Sequence, residues 1–368
     1  MVYSIFISFI LSGIIWLHSL MALCYGITPK ACKKLVSISH KTDLRLGKAT
    51  IGQIKKTYPK GSFLINSLPV GYVKNGSVDY TFYIQQALNK SEKLIFPNFP
   101  LLVNDNGLDI PSNRTLIFEE GSVIKLSASD KTFYNIFNIE NVSNVILQNP
   151  KIVGDRNYHL GDKGEAGIGI GIRGSNNMTI LDAEISECWA DGIYIGQFKK
   201  KFTSRNIVIK NTVVDRNRRD GISVISVDNL LLQNFTASNS NGIAPMAGIN
   251  FEPNNSDCVM SNVRVLNPVT RNNTKFGIQI GIRKMLGNGN RVADILIKNH
   301  LYEGSEKNSF KVVCASQFEP ILGTMSASIR VLNPVGKTQK VAILFIFQQI
   351  NRSFRFQLLR PKCYQMDE

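Results

Sequence analysis

The chain has 368 residues, with 43 Lys and Arg against 27 Asp and Glu, a formal charge of +16, and 43% hydrophobic residues. This composition excludes a disordered chain and allows one large domain or two smaller ones. A balance so basic favours polyanionic partners or, equally, a solvated basic surface.

Residues 1–24, MVYSIFISFILSGIIWLHSLMALC, are apolar and almost uncharged. They read as a secretory signal or an uncleaved anchor, although the basic start typical of a signal is missing. The expected location is therefore secreted, periplasmic or cell-surface, with membrane attachment only if the segment is retained. Residues 25–74 read as an N-terminal extension. The six cysteines, Cys24, Cys32, Cys188, Cys258, Cys314 and Cys363, form no CxxC pair. Five would remain after cleavage, which suits buried free thiols better than a complete disulfide framework.

Asp79 is the expected N-cap of a short helix with Ile84, Ala87 and Leu88 on one apolar face. LIFP follows as a strand stopped by Pro97. A repeat then begins near residue 110 and dominates the chain. It is an apolar strand, a polar residue, then Asn or Asp: VILQN to Asn149, MTILD to Asp182, IVIKN to Asn211, LLLQN to Asn234, CVMSN to Asn262 and ILIKN to Asn299. The spacings are 33, 29, 23, 28 and 37 residues, and the intervals hold Gly, Asn, Asp and short β-rich runs without a helical period.

A second register follows each turn: GIGIGI, DGIYIG, DGISVI, AGINFE and FGIQIG. Each coil thus carries three strands, and stacked coils pair each strand with its equivalent about 4.8 Å away. The predicted fold is all-β, a single-stranded right-handed parallel β-helix over residues 75–304 with an N-terminal capping helix. Residues 305–368 read as divergent C-terminal coils or a cap, since IRVLNP there echoes VRVLNP at 263–268. Strand alternation points Ile168, Ile170, Ile172, Ile193, Ile195, Ile222, Val224, Ile249, Phe251, Ile278 and Ile280 inward. It points Gly169, Gly171, Tyr194, Ser223, Asn250, Glu252 and Gln279 outward, a face suited to sugar binding.

The Asp-x-Thr start, the Ile-Gln-x-Ala helix, the strand ending Phe-Pro and IPSNRTLIFEEGSVIKL together resemble the opening of the pectate-lyase-like superfamily. The resemblance spans residues 75–300 and implies a β-helix that acts on or binds carbohydrate. Consecutive coils carry Trp189-Ala190-Asp191 and Arg218-Arg219-Asp220 where polygalacturonases carry paired aspartates. The Gly-His-Gly and Arg-x-Lys of that family are absent. NRRDGISVIS is similar to the Asp-Arg-His-Gly coil of mannuronan epimerases, with Asp220 in place of histidine.

Asp191 and Asp220 are the lead catalytic candidates, because stacking brings their backbones together and two close carboxyls split their pKa values. Glu252, one coil further, and Arg219 complete the catalytic set. Arg218 and Arg219 are candidates for gripping substrate carboxylates. The long polar loop GDRNYHLGDKGEAG gathers the ionisable groups Asp155, Arg156, His159 and Glu165 on one side of the groove, and adds Asp155, Arg156 and His159 as substrate-binding candidates, with Tyr194, Asn250 and Trp189 on the coils. Each residue also has a structural reading: an Asp capping a turn, a solvated Arg, a buried Trp. The expected function is hydrolysis or β-elimination of an acidic, uronate-containing polysaccharide. Uronate C5-epimerisation and non-catalytic glycan binding or adhesion are the alternatives. No metal site is recognisable; Ca²⁺ is left open by resemblance to pectate lyases. Nucleic acid is not an expected partner, and the chain is expected to be monomeric.

Overall fold

The computed structural model describes residues 61–285, 291–305, 308–313, 325–336, 343–346, 354–359 and 362–363. The apolar leader, most of the N-terminal extension, Cys24, Cys32 and Cys314 lie outside the described residues. No described helix is long and apolar enough to cross a membrane.

The architecture is a β-solenoid of about eight turns. One stack of parallel strands runs through Arg114–Phe118, Ser143–Gln148, Asn176–Leu181, Phe202–Asp215, Val227–Ser238 and Met260–Leu266. A second runs beside it through Lys151–Val153 and Glu184–Ser186 into the far ends of the same long strands. The third contains Phe133–Glu140, Ala166–Arg173, Ile193–Phe198, Ile222–Val224, Ala247–Phe251 and Phe276–Gly281. Stacking starts at Ser62–Phe63 and continues to Lys362–Cys363, so it extends past both ends of the 75–304 segment. Every isoleucine, valine and phenylalanine placed inward by alternation is 0–2% exposed.

The helix spans Thr81–Lys90 and buries Thr81, Ile84, Ala87 and Leu88 against the first coils. Its N-cap is Tyr80 rather than Asp79. Asp79 stands one residue earlier, where its carboxylate accepts the Thr81 backbone N–H at 2.8 Å.

Two asparagine ladders run up the first stack, not one. Asn113, Asn144, Asn177, Asn206, Asn229 and Asn262 form the ladder that precedes each strand's apolar core. Asp182, Asn211, Asn234, Asn267, Asn299 and Asn333 form the one that bends the chain into the second stack. Asn262 therefore belongs to the other ladder, and Asn267 is the true partner of Asn234. The uneven spacings of 28 and 37 arose from that misassignment; the actual steps are 33 and 32. The Asn-Pro pair at 267–268, repeated at 149–150 and 333–334, was the signal.

All ladder members sit at φ +49 to +67°, a region that asparagine and aspartate tolerate and most other L residues avoid. Asn211 donates to Asp182 and accepts from Asn234, both at 2.9 Å. Asn211→Ala is expected to destabilise by about 1–2 kcal/mol in urea denaturation, and Asn211→Gly by less, because glycine suits that backbone.

The Gly that opens each third-stack strand has a packing cause. Gly169, Gly192, Gly221, Gly248 and Gly277 form a column at the corner of the coil. A Cβ on any of the first four would lie 2.5–2.8 Å from the carbonyl oxygen of the next glycine in the column. Gly169 thus faces the corner, against Ile185 and Cys188, and not solvent. Gly171 does face out, but Arg173 and Asn135 lie over it. The expected strip of bare glycine is covered.

Candidate functional site

Asp191 and Asp220 are adjacent in the turn that precedes the glycine column, as the repeat required. Each carboxylate serves the coil above: Asp191 Oδ1 accepts the Asp220 backbone N–H at 3.1 Å, and Asp220 Oδ1 accepts that of Ala247 at 2.8 Å. The two residues are 1% and 0% exposed. They are buried structural acceptors, so they do not present an open carboxylate pair to a substrate.

Arg219 lies between them. Its NH1 is 3.2 Å from Asp191 Oδ2 and 3.1 Å from Asp220 Oδ2, and it donates to Ser223 Oγ at 3.2 Å. NH2 donates to Glu252 Oε2 at 2.9 Å, while Nε faces Glu165 Oε2 at 3.9 Å. Asn250 Nδ2 joins Asp220 at 2.9 Å to Glu252 at 3.1 Å, and Gln279 Nε2 donates to Asn250 at 3.0 Å. The cluster therefore spans residues from several consecutive coils. Its exposed members are glutamates: the side chain of Glu252 is 30% accessible and that of Glu165 63%.

Burial, reinforced for Asp220 by the neighbouring Asp191, raises both aspartate pKa values, Asp220 to about 7. Burial opposes the charge on Arg219, but Asp191, Asp220 and Glu252 outweigh it and hold the guanidinium charged. A carboxyl with a raised folded-state pKa binds a proton more tightly folded than unfolded. Its stabilising contribution is complete below the unfolded value, about 3.9, and is lost as pH rises through about 7. The thermal midpoint should accordingly gain from acidification between those limits, relative to Asp220→Asn, whose profile should be flatter across the same window. A scan of both proteins from pH 8 to pH 5, at about constant ionic strength, checks the sign.

A second cluster lies at the same end of the strands. Asp155 is fully buried and accepts from Tyr134 Oη, from the Ser129 backbone N–H at 3.1 Å and from His159 Nδ1 at 2.7 Å. His159 stacks on Trp189 with centroids 4.0 Å apart, and the Arg218 guanidinium covers the same indole at 3.8 Å. Arg218 also donates to the Gly164 carbonyl at 2.8 Å, and Trp189 Nε1 to that of Lys163 at 3.3 Å. Asp155, His159, Trp189 and Arg218 therefore pin the loop 154–165 and set Glu165 beside Arg219. They are not open substrate ligands. Arg156 lies elsewhere, donating to the Arg216 carbonyl and to Asn241.

On the outer face, Tyr194 is partly exposed and the Arg173 guanidinium lies 4.6 Å from its ring and 5.5 Å from that of Phe133. Arg173 is also paired with Glu140 at 3.0 Å. Phe133 is 60% exposed, which gives the face an apolar platform. Asn250, expected outward, is fully buried within the cluster.

Sequence reading gathered Asp191, Asp220, Arg219 and Glu252 correctly in space. It named Glu165 only as an ionisable group of the polar loop and did not place it beside Arg219, an approach that depends on how a twelve-residue loop is pinned; Tyr134 is marked by no motif. Among the described residues no group of three or more His, Cys, Asp or Glu is placed to hold a metal ion, and Cys188 and Cys258 are buried.

The stacked coils and their outward cluster define a solenoid of the β-helix class. The family model for the right-handed β-helix region matches residues 98–258 and 168–317, and the chain belongs to that family. Its fold is of the pectate-lyase-like kind. Among curated proteins it is similar to the uncharacterized protein YclG of Bacillus subtilis (strain 168), 26% identical over 223 residues. That match covers 52% of this chain and 38% of YclG, so the chain spans about two fifths of that relative's length. Among solved structures it resembles PfbA, a surface adhesin of Streptococcus pneumoniae, with TM-score 0.55, 14% identity and 82% of each chain covered. It also resembles an iota-carrageenase complexed to iota-carrageenan fragments, with TM-score 0.54, 13% identity, and 76% and 73% covered. These structural likenesses concern the fold.

Proposed function

We propose that this protein binds a polysaccharide along the outer face of the third stack and hydrolyses a glycosidic bond between Glu165 and Glu252. The observation that carries the proposal is the placement of these two glutamates. They reach solvent beside the Arg219 guanidinium, Glu165 facing Nε and Glu252 bonded to NH2, while Asp191 and Asp220 meet NH1. Hydrolysis with two carboxyls needs this kind of pair: one gives a proton to the leaving oxygen, the other takes a proton from the attacking water. The buried aspartates hold the guanidinium in place, and through it the glutamates. The platform of Phe133, Arg173 and Tyr194 offers stacking surface to sugar rings further along the same face.

The committed arginines favour hydrolysis over β-elimination and epimerisation. Both of those reactions need a free cation beside a uronate carboxylate. Arg218 is stacked and bonded to Gly164, and both terminal nitrogens of Arg219 are bonded to carboxylates. Carrageenan fragments held by another β-helix make polysaccharide the substrate class to test first. The full chain incubated with neutral, uronate and sulfated polysaccharides should release reducing ends without the absorbance of an unsaturated product. Unsaturated product would contradict hydrolysis.

A second reading, a non-catalytic adhesive or glycan-binding solenoid, is favoured by the Phe133–Arg173–Tyr194 platform, in which Phe133 is exposed and which would bind without needing the glutamates. Glycan binding with no product after prolonged incubation would select it.

A further inference from the structure

The hairpin at Gln197–Thr203 departs from the solenoid and has no part in the cluster above. Strand Ile193–Phe198 turns back on the start of Phe202–Asp215, pairing Gln197 with Thr203 and Phe198 with Phe202. It is the one antiparallel pairing among the described strands. The Lys201 N–H closes the turn on the Phe198 carbonyl at 3.1 Å, with Lys199 at φ +50° and Lys200 at φ +55° between them. Asn-Gly is the pair that suits two consecutive left-handed residues. This turn instead carries lysine at both positions, and a third lysine follows.

All three lysines are exposed, and among the described residues none is paired with a carboxylate. The Lys199 ammonium lies 5.2 Å from the Phe198 ring centroid and that of Lys201 5.9 Å from Phe202. Nearby Arg205, with a side chain 64% exposed, meets Asp228 only at 4.0 Å. The arginines of the outer face are different: Arg173 is tied to Glu140, Arg218 to Trp189 and Gly164, and Arg219 to its carboxylates. The hairpin therefore brings unpaired positive charge beside this face. The strand that bears Tyr194 runs directly into it, and the five residues from Tyr194 to Lys199 span about 16 Å of extended chain.

We infer that this hairpin is a separate anion-binding contact that takes the carboxylate or sulfate groups of an acidic glycan lying over Tyr194. The inference rests on the reading that this face binds polysaccharide. It moves selection for an acidic polymer away from Arg218 and Arg219 and onto Lys199, Lys200 and Lys201. Exposed ammonium groups on a projecting turn act over a Debye length, so the contribution should fall as salt rises.

The test compares the full chain with the variant Lys199→Asn, Lys200→Gly, Lys201→Gln, which removes three charges while suiting the turn. Binding is measured with polygalacturonate, dextran sulfate, neutral dextran and a single-stranded DNA oligomer, at low and high salt. A loss of about tenfold or more on either acidic polymer at low salt, with a shallower salt dependence and an unchanged thermal midpoint, is expected. The polymer affected tells carboxylate from sulfate. Equal affinity of variant and wild type for both acidic polymers would overturn the assignment. So would wild-type binding to the DNA oligomer tighter than to either glycan, which would assign the hairpin to nucleic acid. The assay reads binding alone, so a chain that binds acidic glycan through the hairpin but releases no product separates this inference from the hydrolytic reading.

Discussion

Glu252→Gln is expected to lower product release by about 10²–10⁴-fold, the range for removal of a positioned acid or base, and to leave glycan binding intact. The substitution keeps an oxygen that can accept from Arg219 NH2 and Asn250 Nδ2, now 2.9 and 3.1 Å from the carboxylate. The local fold should therefore persist while the proton-transfer function is lost. Glu165→Gln should act in the same way, since it removes the other exposed carboxylate facing Arg219. Initial rates of reducing-end release, taken beside binding affinity, separate this from a structural role, which would weaken both. Turnover within a factor of about two of wild type in both variants would remove the glutamates from the mechanism.

Arg219→Met should have the largest effect on stability. It keeps most of the side chain's bulk but leaves Asp191 and Asp220 buried without their counter-charge. Removing one partner of a buried ion pair costs about 3–5 kcal/mol, mostly through the charge left behind. Part of the loss should be recovered by adding Asp191→Asn and Asp220→Asn, because the penalty lies in the uncompensated carboxylates. Because each coil touches mainly its neighbours, the effect should be greatest in hydrogen exchange of strands Ile193–Phe198, Ile222–Val224 and Ala247–Phe251. Urea denaturation measures the total. A loss below about 1 kcal/mol would mean that the aspartates are stabilised by their backbone hydrogen bonds alone.

The solenoid was legible in the sequence because its constraints repeat. An inward side chain at every second position of GIYI, GISV and GINF cannot be anything else once the coils stack. The glycine before each run is required because a Cβ would meet the next coil's carbonyl. The Asn turns were legible as a class but not individually. Asn262 and Asn267 both follow apolar strands, and only their hydrogen bonds to Asn229 and Asn234 assign each to its ladder. The composition of the site was legible for the same reason as the fold, since Asp191, Arg219, Asp220 and Glu252 occupy equivalent or neighbouring registers. Their exposure was not. Whether Asp220 faces solvent or accepts the Ala247 N–H depends on side-chain rotation, which strand periodicity does not encode. The loop 154–165 was the least readable part. Its path is set by Asp155 and His159 inside the loop and by Trp189 and Arg218 on later coils, and the repeat spacing that relates Trp189 to Arg218 does not extend to the loop residues.

On the hydrolytic reading, glycan lies over the third stack with a glycosidic oxygen between Glu165 and Glu252. A crystal structure of the Glu252→Gln variant with the longest oligosaccharide that it binds tests this directly. Sugar density is expected across Tyr194 and the Arg219 cluster, with a glycosidic oxygen within hydrogen-bonding reach of Glu165. Density on the asparagine-ladder faces, with this face empty, would contradict it.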